Sequence, residues 1–90
     1  RHAFVDKGSV ILHDAIINAD AKVGKNCIIN SKALIEHDCM VGDHCHVSTG
    51  AILNGATVVG QGTFFGSNAV SRECATILER SFVKAGSVVK

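Results

Sequence analysis

The sequence has no proline, no tryptophan and no tyrosine, and only four phenylalanines in 90 residues. That leaves no aromatic platform for stacking bases. With a formal charge of +1 and no basic tract, nucleic acid is argued against as a partner. No apolar run approaches the roughly 20 residues of a membrane span. No secretory leader pattern is present. Without a secretory context, the four cysteines point to reduced thiols and a cytoplasmic setting rather than to disulfides. Ninety residues allow one domain at most. The chain begins at Arg1 rather than Met, which fits a piece of a longer protein. What is plentiful is valine, isoleucine and glycine, a composition of strands and turns.

These residues fall into a repeat of six. Stepping by six from Val5 to Val89 gives fourteen apolar residues out of fifteen, with Ser71 the exception. Four positions after each, from Ser9 to Ser87, all fourteen residues are small. Three positions after each, from Gly8 to Gly86, nine of fourteen are Gly, Asn or Asp, which tolerate a left-handed backbone. Three columns thus keep one register without an insertion. The spacing predicts short strands separated by corners, with the apolar and small columns pointing inward. At "SRECAT" (71–76), where Ser71 replaces an aliphatic residue, the expectation is a local distortion or a less buried strand.

The units "VGKNCI", "VGDHCH" and "VGQGTF" resemble the hexapeptide-repeat family. That resemblance implies an all-β fold, a left-handed parallel β-helix in which three hexapeptides form one triangular coil. Residues 5 to 90 then make about five coils. At the spacing of parallel strands the stack is about 24 Å tall.

The register sorts the residues that could carry chemistry in "ALIEHDCMVGDHCHVSTG". Cys27, Cys39 and Cys45 fall in the small inward column and read as buried filler. Cys74 falls on a corner and is expected to be accessible. His37 and Asp38 share a corner, and His44 occupies another without a role. His46 belongs to the outward column. Eleven of the fourteen residues in that column are apolar, although it faces away from the coil interior. Such a face on a soluble chain marks an interface, and self-association is its simplest use. His37 and His46 are nine residues apart, half a coil of eighteen. Within one chain they point away from each other, so a site using both must lie between chains.

The segment "INSKALIEHDCMVGDHCHVSTGAILNG" resembles one branch of the hexapeptide acyltransferases. These are the bacterial sialic acid O-acetyltransferases and the N-acetyltransferases acting on nucleotide-linked amino sugars. The resemblance rests on Glu36-His37-Asp38-Cys39 and on His46-Val47-Ser48 nine residues after His37. It implies an acetyl-CoA-dependent acetyltransferase that uses no metal and moves an acetyl group to the amine or hydroxyl of a sugar or nucleotide-linked sugar. It implies His37 as general base, with Asp38 orienting it or favouring its protonated form. It implies His46 near the thioester of acetyl-CoA, Gly55 as a backbone donor to the thioester carbonyl, and Asn30 as a substrate contact. It further implies a homotrimer with sites between subunits. The 90 residues are then the β-helix domain (1–90) of a protein whose N-terminal sugar-nucleotide-binding domain is not included. A neutral imidazole suits proton removal near pH 7, and a glycine amide can approach an oxyanion unhindered.

Three other readings compete with this one. A γ-type carbonic anhydrase on the same coil needs three histidines, two of them five apart. The histidines at 2, 13, 37, 44 and 46 contain no such pair. A non-catalytic β-helix scaffold or ice-binding prism is a second alternative, but no stacked Thr-x-Thr ladder occurs. A serine- or maltose-type acyltransferase is a third, and the Glu-His-Asp-Cys run argues against it.

Overall fold

A computed structural model describes residues 3–90; residues 1 and 2, His2 among them, lie outside the described residues. Fifteen strands of two residues each recur every six residues, and no helix occurs among the described residues. They stack into three parallel sheets. The first contains Phe4–Val5, Lys22–Val23, Met40–Val41, Val58–Val59 and Thr76–Ile77. The second contains Val10–Ile11, Ile28–Ile29, His46–Val47, Phe64–Phe65 and Phe82–Val83. The third contains Ile16–Ile17, Leu34–Ile35, Ile52–Leu53, Val70–Ser71 and Val88–Val89. Every strand pairs with one eighteen residues away, as in Lys22↔Met40, Ile28↔His46 and Leu34↔Ile52. The result is a parallel β-helix of about five coils measuring 27 × 23 × 21 Å, as the repeat predicts.

The corners explain why the chain can turn so often. All fourteen positions of the corner column have φ between +54° and +80°. Five of them, Lys32, His44, Ala56, Cys74 and Arg80, are neither Gly, Asn nor Asp, and each costs about 1–2 kcal/mol of backbone strain. Stacking offsets that strain, because corner amides bond to the neighbouring coil. Ala56 N donates to His37 O at 2.9 Å, and Asp38 N donates to Ala19 O at 3.1 Å.

The inward columns form one continuous core. Val23, Ile29, Ile35, Val47, Leu53 and Phe65 are all buried. The small column does more than fill space. Its hydroxyl and thiol groups donate to a corner carbonyl fifteen residues on: Ser9 to Gly24 O, Cys39 to Asn54 O, Cys45 to Gly60 O and Thr63 to Leu78 O. A small donor therefore serves a carbonyl that the strand ladder leaves over. Cys27, Cys39 and Cys45 are buried and Cys74 is exposed. Burial pushes the Cys39 thiol up. A hydrogen bond with Cys27, together with burial, pushes Cys45 up.

The expectation at Ser71 is corrected. The strand Val70–Ser71 pairs on both sides, and Ser71 is fully buried. Its hydroxyl bonds Thr57 Oγ1 at 2.7 Å and accepts from Asn54 N at 3.1 Å. A polar side chain occupies the aliphatic slot without distortion because the small column beside it supplies a matching hydroxyl.

Outward positions carry much of the exposed apolar surface. Ile16, Met40, Phe82 and Val88 are each more than half exposed. Beside the first sheet lies an apolar groove of about 270 Å³ lined by Phe4, Met40 and Val58. No helix among the described residues is long and apolar enough to cross a membrane.

Candidate active site

His37 sits on the corner between Leu34–Ile35 of the third sheet and Met40–Val41 of the first. Its Nδ1 lies 3.1 Å from Asp38 Oδ2. An ionised carboxylate only accepts, so Nδ1 donates and the lone pair of Nε2 is left available. The Glu36 carboxylate instead accepts from Asn18 Nδ2 at 2.7 Å. The side chains of His37 and Asp38 are 62% and 60% exposed.

The imidazole lies against Gly55, one coil on. A Cβ added at Gly55 would come within 2.8 Å of both Cε1 and Nε2 of His37. Among the described residues, the Gly55 amide N–H has no hydrogen-bond partner. A free proton acceptor at an exposed corner therefore rests against a buried glycine whose backbone donor is free.

That arrangement predicts the effect of Gly55→Ala. Gly55 lacks a left-handed φ, so alanine is tolerated by the backbone. The added methyl should push the exposed imidazole outward. We expect a changed NMR environment for the His37 ring with a thermal midpoint close to that of the unsubstituted chain. An unaltered ring environment would mean that the imidazole does not rest on Gly55.

His46 lies on the outer side of the second sheet, which does not adjoin the His37 corner. Its Nε2 is 3.2 Å from Asn30 Nδ2. Its ring meets Phe64 edge to face at 5.2 Å, and Phe64 stacks on Phe82 at 5.2 Å. The structure thus groups the five sequence-derived residues into two clusters. His37, Asp38 and Gly55 form one; Asn30 and His46 form the other, on a different part of the same chain. Asn30 adjoins His46, not His37. Phe64, which packs on His46, was not among the sequence-derived candidates. Its signal was the spacing of eighteen from His46 in the outward column.

The family described as bacterial transferase hexapeptide (six repeats) matches residues 20–55. Among solved structures, a histidine-to-asparagine variant of perosamine N-acetyltransferase from Caulobacter crescentus, in complex with CoA and GDP-perosamine, is similar with a TM-score of 0.85. Identity is 32%, over 98% of this chain and 45% of that one. The acetyltransferase domain of PglB from Neisseria gonorrhoeae FA1090 is similar with a TM-score of 0.72 and 29% identity, over 98% of this chain and 46% of that one. The same domain in complex with acetyl coenzyme A gives a TM-score of 0.69 and 28% identity, over 97% and 47% of the two chains. The chain therefore spans less than half the length of these neighbours. No curated protein sequence matches it.

Proposed function

We propose, from the premise that this chain is a hexapeptide-repeat protein of the bacterial transferase kind, that it carries the catalytic coils of an acetyl-CoA-dependent acetyltransferase whose acceptor is a nucleotide-linked amino sugar. The observation that carries the reading is the pairing of a free His37 Nε2 with a free Gly55 N–H. Direct transfer from a thioester needs a base for the acceptor and a donor for the developing oxyanion. These two atoms supply both. The neighbours in complex with CoA, acetyl coenzyme A and GDP-perosamine support the choice of both substrates.

In this reading the acceptor nitrogen attacks the thioester carbon, and a C–N bond forms. His37 Nε2 takes the amine proton while Asp38 holds Nδ1–H. The carbonyl oxygen gains negative charge facing the Gly55 amide. The C–S bond then breaks, and the thiolate of CoA leaves and takes up the proton. A hydroxyl acceptor would follow the same sequence with oxygen as the nucleophile.

His46 belongs to a second surface of the coil, so a site containing both histidines is completed by a neighbouring copy. The apolar outward column supports a homotrimer with His37 of one subunit facing His46 of the next.

The test is an incubation of the folded chain with acetyl-CoA and a panel of nucleotide-linked amino sugars, read by release of free thiol and by product mass. Acceptor-dependent thiol release is expected, with a gain of one acetyl group. Sedimentation of the same sample should give a trimer. No release with any amino sugar from a trimer that binds acetyl-CoA would overturn the acceptor class. A stable monomer that transfers acetyl would overturn the intersubunit site.

A further inference from the structure

We propose that Asn30 is a positioning residue that fixes the tautomer of His46, making His46 a hydrogen-bond donor through Nδ1–H toward a carbonyl oxygen of the acyl donor. This rests on the reading of the site as an acetyl-CoA site and assigns how one of its groups works.

The inference begins with the orientation of one amide. The backbone N–H of Ser31 points at a terminal atom of the Asn30 side chain at 2.7 Å. A backbone N–H can only donate, so the atom facing it is the carbonyl oxygen Oδ1. The amide nitrogen Nδ2 is then the atom that faces His46 Nε2 at 3.2 Å. Turning the amide over would set two donors against each other at Ser31. An NH₂ group only donates as well, so His46 Nε2 must accept. A neutral imidazole that accepts at Nε2 carries its proton at Nδ1.

The ring is held in that pose from a second side. Phe64 meets it edge to face, with the rings inclined at 71°. Among the described residues, His46 Nδ1 has no hydrogen-bond partner. A half-buried imidazole with one nitrogen satisfied and the other free presents a single directed donor. The group it suits is an acceptor without a proton of its own, such as a thioester or amide carbonyl.

The two histidines are therefore set to opposite tasks by their neighbours. At His37 the partner is Asp38, which accepts, so the proton sits at Nδ1 and the unpartnered nitrogen Nε2 holds the lone pair. At His46 the partner is Asn30, which donates, so the unpartnered nitrogen Nδ1 carries the proton. Nothing in the identity of the two histidines distinguishes them; the acceptor or donor beside each one does.

The test is a long-range ¹H–¹⁵N NMR correlation of the imidazole nitrogens, recorded at a pH alkaline enough to leave histidines neutral. In the unsubstituted protein, His46 Nδ1 should give the shift of a protonated ring nitrogen and Nε2 that of a bare one. Asn30→Asp keeps an oxygen facing Ser31 N–H but places a second oxygen against Nε2. The His46 tautomer should then reverse, and the Kd or KM for acetyl-CoA at that pH should rise on the order of tenfold, the worth of one directed hydrogen bond. A His46 proton on Nε2 in the unsubstituted protein would overturn the proposal without any variant being needed. A reversed tautomer with unchanged acetyl-CoA affinity would overturn the donor role. The tautomer measurement needs no turnover, so it stands or falls apart from the acetyltransferase reading.

Discussion

Replacing His37 by alanine is expected to lower kcat for acetyl transfer about 10²- to 10⁴-fold, the range for loss of a general base. The size of the effect follows from the site. Nε2 is the only nitrogen of that ring left free, and Asp38 holds the other. No other imidazole among the described residues shares the corner. In the proposed reaction the base acts on the acceptor, so affinity for acetyl-CoA should change little. Structure should survive, since the His37 side chain is 62% exposed and the corner is held by backbone bonds. Steady-state kinetics provide the check. Turnover close to that of the unsubstituted protein would remove His37 from the reaction.

Phe65→Ala should have the largest effect on stability, about 3–5 kcal/mol by the usual cost of truncating a buried phenylalanine. Phe65 is the largest fully buried side chain among the described residues. It points into the coil between Val47 and Val83 of the same sheet. Removing its ring leaves a cavity that a stack of hydrogen-bonded coils cannot easily collapse around. That loss is a large share of the roughly 5–15 kcal/mol that holds a typical domain folded. Phe82→Ala makes the comparison, because Phe82 is 71% exposed on the outer side of the next strand in that sheet. It should cost well under 1 kcal/mol in the isolated chain. Denaturant midpoints measured on both variants decide the matter. Equal losses would mean that inward and outward positions have been interchanged.

Most of the fold could be read from the sequence because each hexapeptide repeats one local problem and solves it the same way. The corner column shows this best. Asp38, Asn26 and Gly50 announce a left-handed backbone, whereas Lys32, Ala56 and Arg80 adopt one without announcing it. Register carried them. Ser71 was less legible, because its fitness for the core depends on Thr57 and Asn54 in the neighbouring coil and not on its own polarity. The candidate site divided in the same way. Gly55 beside His37 is a spacing of one coil, and spacing is what a repeat displays. Asn30 beside His46 is a separation of sixteen residues, one coil less two. It joins a corner side chain to a strand side chain in a direction that a column-by-column reading does not follow. The tautomers lie beyond any pattern of residue types, since they depend on which atom of an amide faces which neighbour.

The pairing of every strand with the one eighteen residues away has a consequence for how the molecule opens. Each coil touches only the coils before and after it, so cohesion is a sum of nearest-neighbour terms along one axis. Loss of order should then travel inward from the terminal coils, where inward-facing Val5 and Ile11 are still more than a third exposed. Amide protons should exchange fastest at the two ends and slowest around Ile35, Leu53 and Phe65. The contact between His37 and Gly55 joins two interior coils, and so does that between Asn30 and His46. Both clusters lie where such a stack unzips last, so breathing at either end of these coils leaves their chemistry undisturbed.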